Sequence, residues 1–207
     1  MRIHRAIGGE SPVVEAPTRP KPPRAYSRVR PRHVDRPALV VALVSLVLGL
    51  LAPGIRDLDM MINPLGDSGV SGTASFTTGD DGNISVFISL NNASEGSHAA
   101  HIHETGDCSA PDGTSAGGHW NPTTMDHGQW GTPPHHLGDL GNIEVDEDGL
   151  GGLTVTTPAP GFWSIGTGDV NDIVGKAIIV HEKVDDFATQ PTGAAGGRIA
   201  CGVIAAP

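Results

Sequence analysis

Six histidines and one aspartate in the second half of the chain have the types and spacing of ligands for two metal ions held side by side. They are His101 and His103, then His119, His127 and His136 with Asp139, then His181. Of the ten histidines, eight fall between His98 and His181 while the whole chain has one tyrosine, so the ring is not general filler. His101-Ile102-His103 reads as strand, where residues i and i+2 share a face: two imidazoles converge while Ile102 enters the core. Taken alone, a His-x-His pair reads better as two surface histidines. His181 ends a second apolar strand, Ala177 to Val180, and adds a third ring if the two strands are neighbours. His119, His127, His136 and Asp139 offer three nitrogens and one carboxylate, which matches a tetrahedral, fully protein-ligated zinc site that is closed to water and structural. His135 competes with His136 for that role, and the local string His-Leu-Gly-Asp favours His136.

The elements that must position these residues read as strands. Gly and Pro together number 29 + 17 = 46, which breaks helices and favours short strands joined by turns, so an all-β domain is expected. Ile84 to Leu90 alternates strictly, with Ile84, Val86, Ile88 and Leu90 on one face. Shorter signals occur at Gly72 to Thr77, Ala99 to Glu104, Ile143 to Val145, Leu153 to Thr157, Ile173 to His181 and Ile199 to Ala205, with Asp57 to Asn63 as a first strand. Gly79-Asp80-Asp81-Gly82 and Asp146-Glu147-Asp148-Gly149 read as hairpin turns. Gly106 to Asn142 shows no strand or helix pattern, a length that a compact domain tolerates where function or a cross-link holds it. A second irregular loop runs from Lys183 to Gly197, ending at Arg198. No internal repeat is visible, which argues against a propeller or solenoid.

Charge divides the chain. Residues 1 to 55 hold nine of the 13 Lys and Arg against three acids, leaving four bases and 20 acids beyond them, a balance of 4 − 20 = −16. Nucleic acid and anionic membrane are therefore poor partners for the main domain. Ala38 to Ala52 is 15 residues without a charge, preceded by Arg28, Arg30, Arg32 and Arg36. As a helix it spans roughly 22 Å, short of the roughly 30 Å hydrocarbon core, so it reads as a secretory signal cleaved near Ala52-Pro53-Gly54, with an uncleaved anchor as the alternative. The expected organisation is a disordered basic Pro/Arg-rich extension over 1–36, the export segment over 37–54 and one domain over 55–207. The destination is the periplasm, cell envelope or extracellular space, with membrane contact only through 38–52. Cys108 and Cys201 are the two cysteines, and in an exported chain a disulfide persists where two unrelated buried thiols are the alternative. Closing a loop of about 90 residues stabilises by ~4–5 kcal/mol in the chain-entropy picture, an upper figure.

Five strings, in order, resemble the copper/zinc superoxide dismutases: His101-Ile102-His103-Glu104; Ala116-Gly117-Gly118-His119; His136-Leu137-Gly138-Asp139-Leu140-Gly141-Asn142; Val180-His181-Glu182-Lys183; and Gly197-Arg198-Ile199-Ala200-Cys201-Gly202-Val203-Ile204. The resemblance spans about residues 58 to 206. It implies a Greek-key, Ig-like β-sandwich or flattened barrel of about eight antiparallel strands with two long functional loops. It implies copper on His101, His103, His119 and His181, and zinc on His119, His127, His136 and Asp139, with His119 a bridging imidazolate. Asp185 matches a carboxylate linking ligands of the two metals, Arg198 the guanidinium beside the open copper position, Cys108 and Cys201 the disulfide, and His98 a structural histidine. The implied activity is conversion of superoxide to dioxygen and hydrogen peroxide by Cu(II)/Cu(I) cycling, in which Arg198 and His119 take part, and a homodimer is a possible state. A non-catalytic copper-binding or copper-delivery module on the same fold is the alternative; such modules commonly lose a copper ligand or the arginine, and this chain keeps both. Two departures stand out. Ala99 occupies a place where the family often has glycine, and the His181 to Arg198 loop is short, with Lys183 its single lysine.

Overall fold

The computed structural model describes residues 57–206. The basic extension and the apolar 38–52 segment lie outside them. Among the described residues no helix is long and apolar enough to cross a membrane.

Eight strands form, in line with the all-β expectation: β1 (Leu58–Pro64), β2 (Ser71–Thr78), β3 (Ile84–Asn91), β4 (Gly96–His103), β5 (Asp139–Val145), β6 (Gly151–Thr156), β7 (Ala177–His181) and β8 (Arg198–Val203). They close into an antiparallel barrel in the order β1-β2-β3-β6-β5-β4-β7-β8, so the β3–β4 and β6–β7 connections cross in Greek-key fashion. The alternation in β3 is realised, with Ile84, Val86, Ile88 and Leu90 buried and Phe87 outward. They join Ile62, Phe76, Ile102, Ile143, Ile178 and Val180 in the barrel interior.

β7 is buried along its whole length, and its unbroken apolar run has a physical reason. Ile178 and Val180 face the barrel interior, while Ala177 and Ile179 face a second, smaller cluster with Leu65, Ala116 and Cys201, against which Cys108 packs. A strand covered on both faces has no solvent side to encode as polar. The β4–β5 connection provides that outer cover, and the Cys108–Cys201 disulfide bonds it to β8.

Several boundaries differ from the sequence reading. β7 begins at Ala177 and not at Ile173, because Gly175 adopts a positive φ of 85° and turns the chain before the strand. β5 begins at Asp139, inside the segment read as patternless; Gly141 (φ 111°) and a register shift at Ala100/His101 break the alternation that would have revealed it. The same segment contains a short 3-10 turn, Thr114–Ala116. Trp163 is 2 % exposed; its indole N–H donates to Leu137 O at 3.0 Å, which allows a polar aromatic into the core.

Candidate metal centre

The strand register places the first three rings. β4 pairs with β7 through Ala100↔Val180, His101↔Ile179 and His103↔Ala177. Ala100, Ile102, Ile178 and Val180 point into the barrel, so by the two-residue period His101, His103 and His181 stand together on its outer face. Ring centroids of His101 and His181 are 5.0 Å apart, and those of His103 and His181 5.6 Å. The β4–β5 connection folds back over that face. Trp120 N donates to Ile102 O (2.8 Å), Glu104 N donates to Gly118 O (3.0 Å), and His119 bridges to His103, so His119 is delivered as a fourth ring.

The two nitrogens of His119 face different company. Nδ1 lies 2.9 Å from Asp139 Oδ1 and 3.4 Å from His136 Nδ1. Asp139 also meets His136 Nδ1 at 3.0 Å and His127 Nδ1 at 3.0 Å. On the other side, His119 Nε2, His101 Nδ1, His103 Nε2 and His181 Nε2 are buried without a hydrogen-bond partner. His127 Nδ1 also lacks one, because its approach to Asp139 has the distance but not the angle of a hydrogen bond. Buried, unpaired nitrogens are rare and costly unless something else occupies their lone pairs. Donor atoms from His101, His103, His119 and His181 lie within 4.8 Å of one another, as do donors from His101, His119, His127 and Asp139. The second set takes in His101 and leaves out His136, although the His136 Nδ1 contact to Asp139 keeps it at the same pocket. The residues thus offer two adjacent donor clusters that could each hold a metal ion, and His119 contributes to both.

Electrostatics prepare the rings for that role. Burial lowers His103 to about 2, His181 to about 3 and His119 to about 4, and lowers His101 as well, so these imidazoles are neutral and offer lone pairs at neutral pH. For His127 burial acts in the same direction, but the nearby carboxylates of Asp139 and Asp185 outweigh it and raise the ring to about 9. Burial alone would raise Asp139, yet the His119, His127 and His136 rings around it hold it far below the usual carboxylate range.

Around the ligands, Asp185 bridges the groups: Oδ2 accepts from His101 Nε2 and Oδ1 from His127 Nε2, each at 2.8 Å. His98 stays outside the ligand set; its Nδ1 donates to the carbonyl of His181 at 2.9 Å and its Nε2 meets Ser94, steadying the end of β7. His135 donates from Nδ1 to His136 O and packs on Trp130, so it supports its neighbour and does not replace it. Arg198, opposite His181 in the β7–β8 ladder, donates from Nη1 to Gly113 O and from Nη2 to Gly117 O at 2.7 Å. Gly117 O also accepts from His103 Nδ1 at 2.9 Å. Gly117 must be glycine: its φ is 75°, and a Cβ there would run into the Glu104 carboxylate.

Sequence reasoning missed four contributors. Gly113 and Gly117 supply the carbonyls that anchor Arg198, and no side-chain pattern announces a carbonyl. Asn142 and Gln190 bracket the backbones of Asp185 and His127. Asn142 lay inside a quoted string, but neither amide was given a role.

Known proteins agree with this geometry. Residues 70–204 match the family described as copper/zinc superoxide dismutase (SODC). The superoxide dismutase-like protein YojM of Bacillus subtilis (strain 168) is 38 % identical over 126 residues, covering 60 % of this chain and 64 % of that protein. The chain thus spans just under two thirds of that relative's length. An extracellular superoxide dismutase [Cu-Zn] of Drosophila melanogaster is 41 % identical over 143 residues, covering 65 % of this chain and 75 % of the other. Among solved structures, a double mutant of a SOD-like protein from Bacillus subtilis, with a tyrosine and a proline each changed to histidine, superposes with a TM-score of 0.61. It is 37 % identical and covers 71 % of this chain and 96 % of that one. The strand order, the buried histidine clusters, the disulfide and these matches together show that the chain belongs to the copper/zinc superoxide dismutase family.

Proposed function

We propose that the protein is an exported superoxide dismutase that converts two superoxide anions and two protons to one dioxygen and one hydrogen peroxide. The observation that supports this best is the split environment of His119, whose Nε2 joins the partnerless nitrogens while its Nδ1 faces Asp139. Copper would be held by His101 Nδ1 and by Nε2 of His103, His119 and His181. Zinc would be held by Nδ1 of His119, His127 and His136 and by the Asp139 carboxylate. Bound copper supplies a one-electron couple that zinc lacks, and zinc supplies a fixed charge.

The chain's own residues supply the rest. Arg198 is partly buried and fixed at two carbonyls, so its remaining N–H groups are pre-aimed at an anion beside the His103 and His181 rings, with no reorganisation cost at the moment of reaction. His119 Nε2 is the proton carrier, accepting one proton and returning it to the peroxide. Asp185 holds the His101 and His127 rings in one tautomer each. The outer face of β4 and β7 is roofed by the β4–β5 connection, which limits water at the rings. Export is supported by the 38–52 segment, the disulfide and the extracellular relative.

The second reading, a copper-binding or copper-delivery module, gains support from the relative whose name is only superoxide dismutase-like. Metal content and superoxide turnover of the purified domain, wild type and His119→Ala, separate the two. Two metals with turnover in wild type, and loss of turnover in the variant, support the enzyme. Two metals without turnover support the carrier, and turnover without bound copper defeats both.

A further inference from the structure

Two side-chain amides cross-lock the loops that hold the second pocket. Gln190, from the β7–β8 loop, accepts from His127 N at Oε1 (2.8 Å) and donates from Nε2 to His127 O (2.8 Å). Asn142, from β5, accepts from Asp185 N at Oδ1 (2.8 Å) and donates from Nδ2 to Asp185 O (3.0 Å). Each amide therefore satisfies both backbone groups of one residue on the other segment, and the two clamped residues meet at His127 Nε2–Asp185 Oδ1. Gly193 leaves the space for that meeting: at φ +62° a Cβ would collide with Asp185 Oδ1 and stand 2.7 Å from His127 Nε2. His127 sits in an irregular connection with no ladder to place it, in contrast to His101 and His103 on β4. Something other than sheet register must fix it, and both hydrogen-bonding groups of its backbone go to one amide.

We propose that Gln190 and Asn142 are positioning residues for the zinc-type pocket, reciprocal clamps that set His127 and its Asp185 support before any metal arrives. The proposal rests on the metal assignment above for its affinity arm but not for its structural arm. Neither amide touches a ligand nitrogen, so each acts through the residue that it holds.

The first measurement is zinc affinity by competition with a chromophoric chelator, for wild type, Gln190→Ala, Asn142→Ala and Gln190→Glu, with Asn91→Ala as an exposed control. Zinc should bind roughly 10- to 100-fold more weakly to the two alanine variants, the range for lost outer contacts to ligands, with copper affinity unchanged. Gln190→Glu keeps the acceptor for His127 N and loses the donor, so it should recover part of the loss. It also decides the matter if Gln190→Ala fails to fold. The second measurement is solvent exchange of the His127 Nε2–H by NMR in the metal-free chain: slow in wild type and Asn91→Ala, fast in the clamp variants. Wild-type zinc affinity together with a slow N–H in both alanine variants overturns the proposal, as does an equal loss of copper and zinc. If wild type binds no zinc, the metal assignment fails, and the exchange rates still decide whether the clamps exist.

Discussion

In the pocket of His101, His103 and His181 the unpaired ring nitrogens stand on paired strands and face nothing that could bond them. In the pocket of His127, His136 and Asp139 the donor groups stand on a loop and at a strand start, and converge on one carboxylate. The first is placed by backbone ladders, so its shape needs no charge, and its neutral rings are a cost that a cation relieves. The second is placed by charge and by amide clamps. It carries its own counter-ion, and there a cation replaces an existing pairing and does not fill a gap. His119 belongs to both, which is why its ring is the point where the distinction can be tested.

The largest effect should come from removing that shared ring. His119→Ala is expected to weaken both metals by more than about 100-fold, beyond the range for outer contacts, and to abolish turnover, as read by metal analysis and a superoxide assay. Retention of both metals would mean that the pockets do not share a ligand. Next come the single-pocket variants: His103→Ala should lose copper and keep zinc, and Asp139→Asn the reverse. Asp139→Asn alone should also loosen the β4–β5 connection in the metal-free chain, since it removes the negative charge that faces three rings and one of the two oxygens that meet them; amide hydrogen exchange over residues 119–139 reports this. Equal loss of both metals in either variant would erase the contrast. Arg198→Ala should leave both metals bound and lower turnover by about 100-fold, because it withdraws a fixed donor from the anion. The smallest effect concerns salt. With a formal charge of −16 beyond residue 55, long-range attraction of superoxide is poor, so kcat/KM should change little between low and physiological ionic strength. A rate that falls steeply with added salt contradicts this.

The same contrast governs what could be read in the sequence. β3 was legible because one face is core and the other solvent, and β4 because His-x-His declares a shared face. β7 could be read as apolar, but its cover on both sides had to await the loop that provides it. The site residues were legible as a set through side-chain chemistry and the five strings. What placed them was less so: the start of β5 hides behind Gly141, and carbonyls such as Gly117 O have no letter of their own. Gln190 is one amide in a polar loop, indistinguishable in sequence from Gln129, which makes no such clamp. Long-range pairing of this sort, 63 residues apart for Gln190 and His127, leaves no local periodicity to detect.

One oxygen atom, the carbonyl of Gly117, receives both the guanidinium of Arg198 and the ring N–H of His103. On the proposed function, the group that would greet the incoming anion and a ring that would hold copper are thus leashed to a single peptide plane. Rotation of that plane would slacken both at once, so the aim of the guanidinium and the orientation of the His103 ring are coupled through one backbone atom.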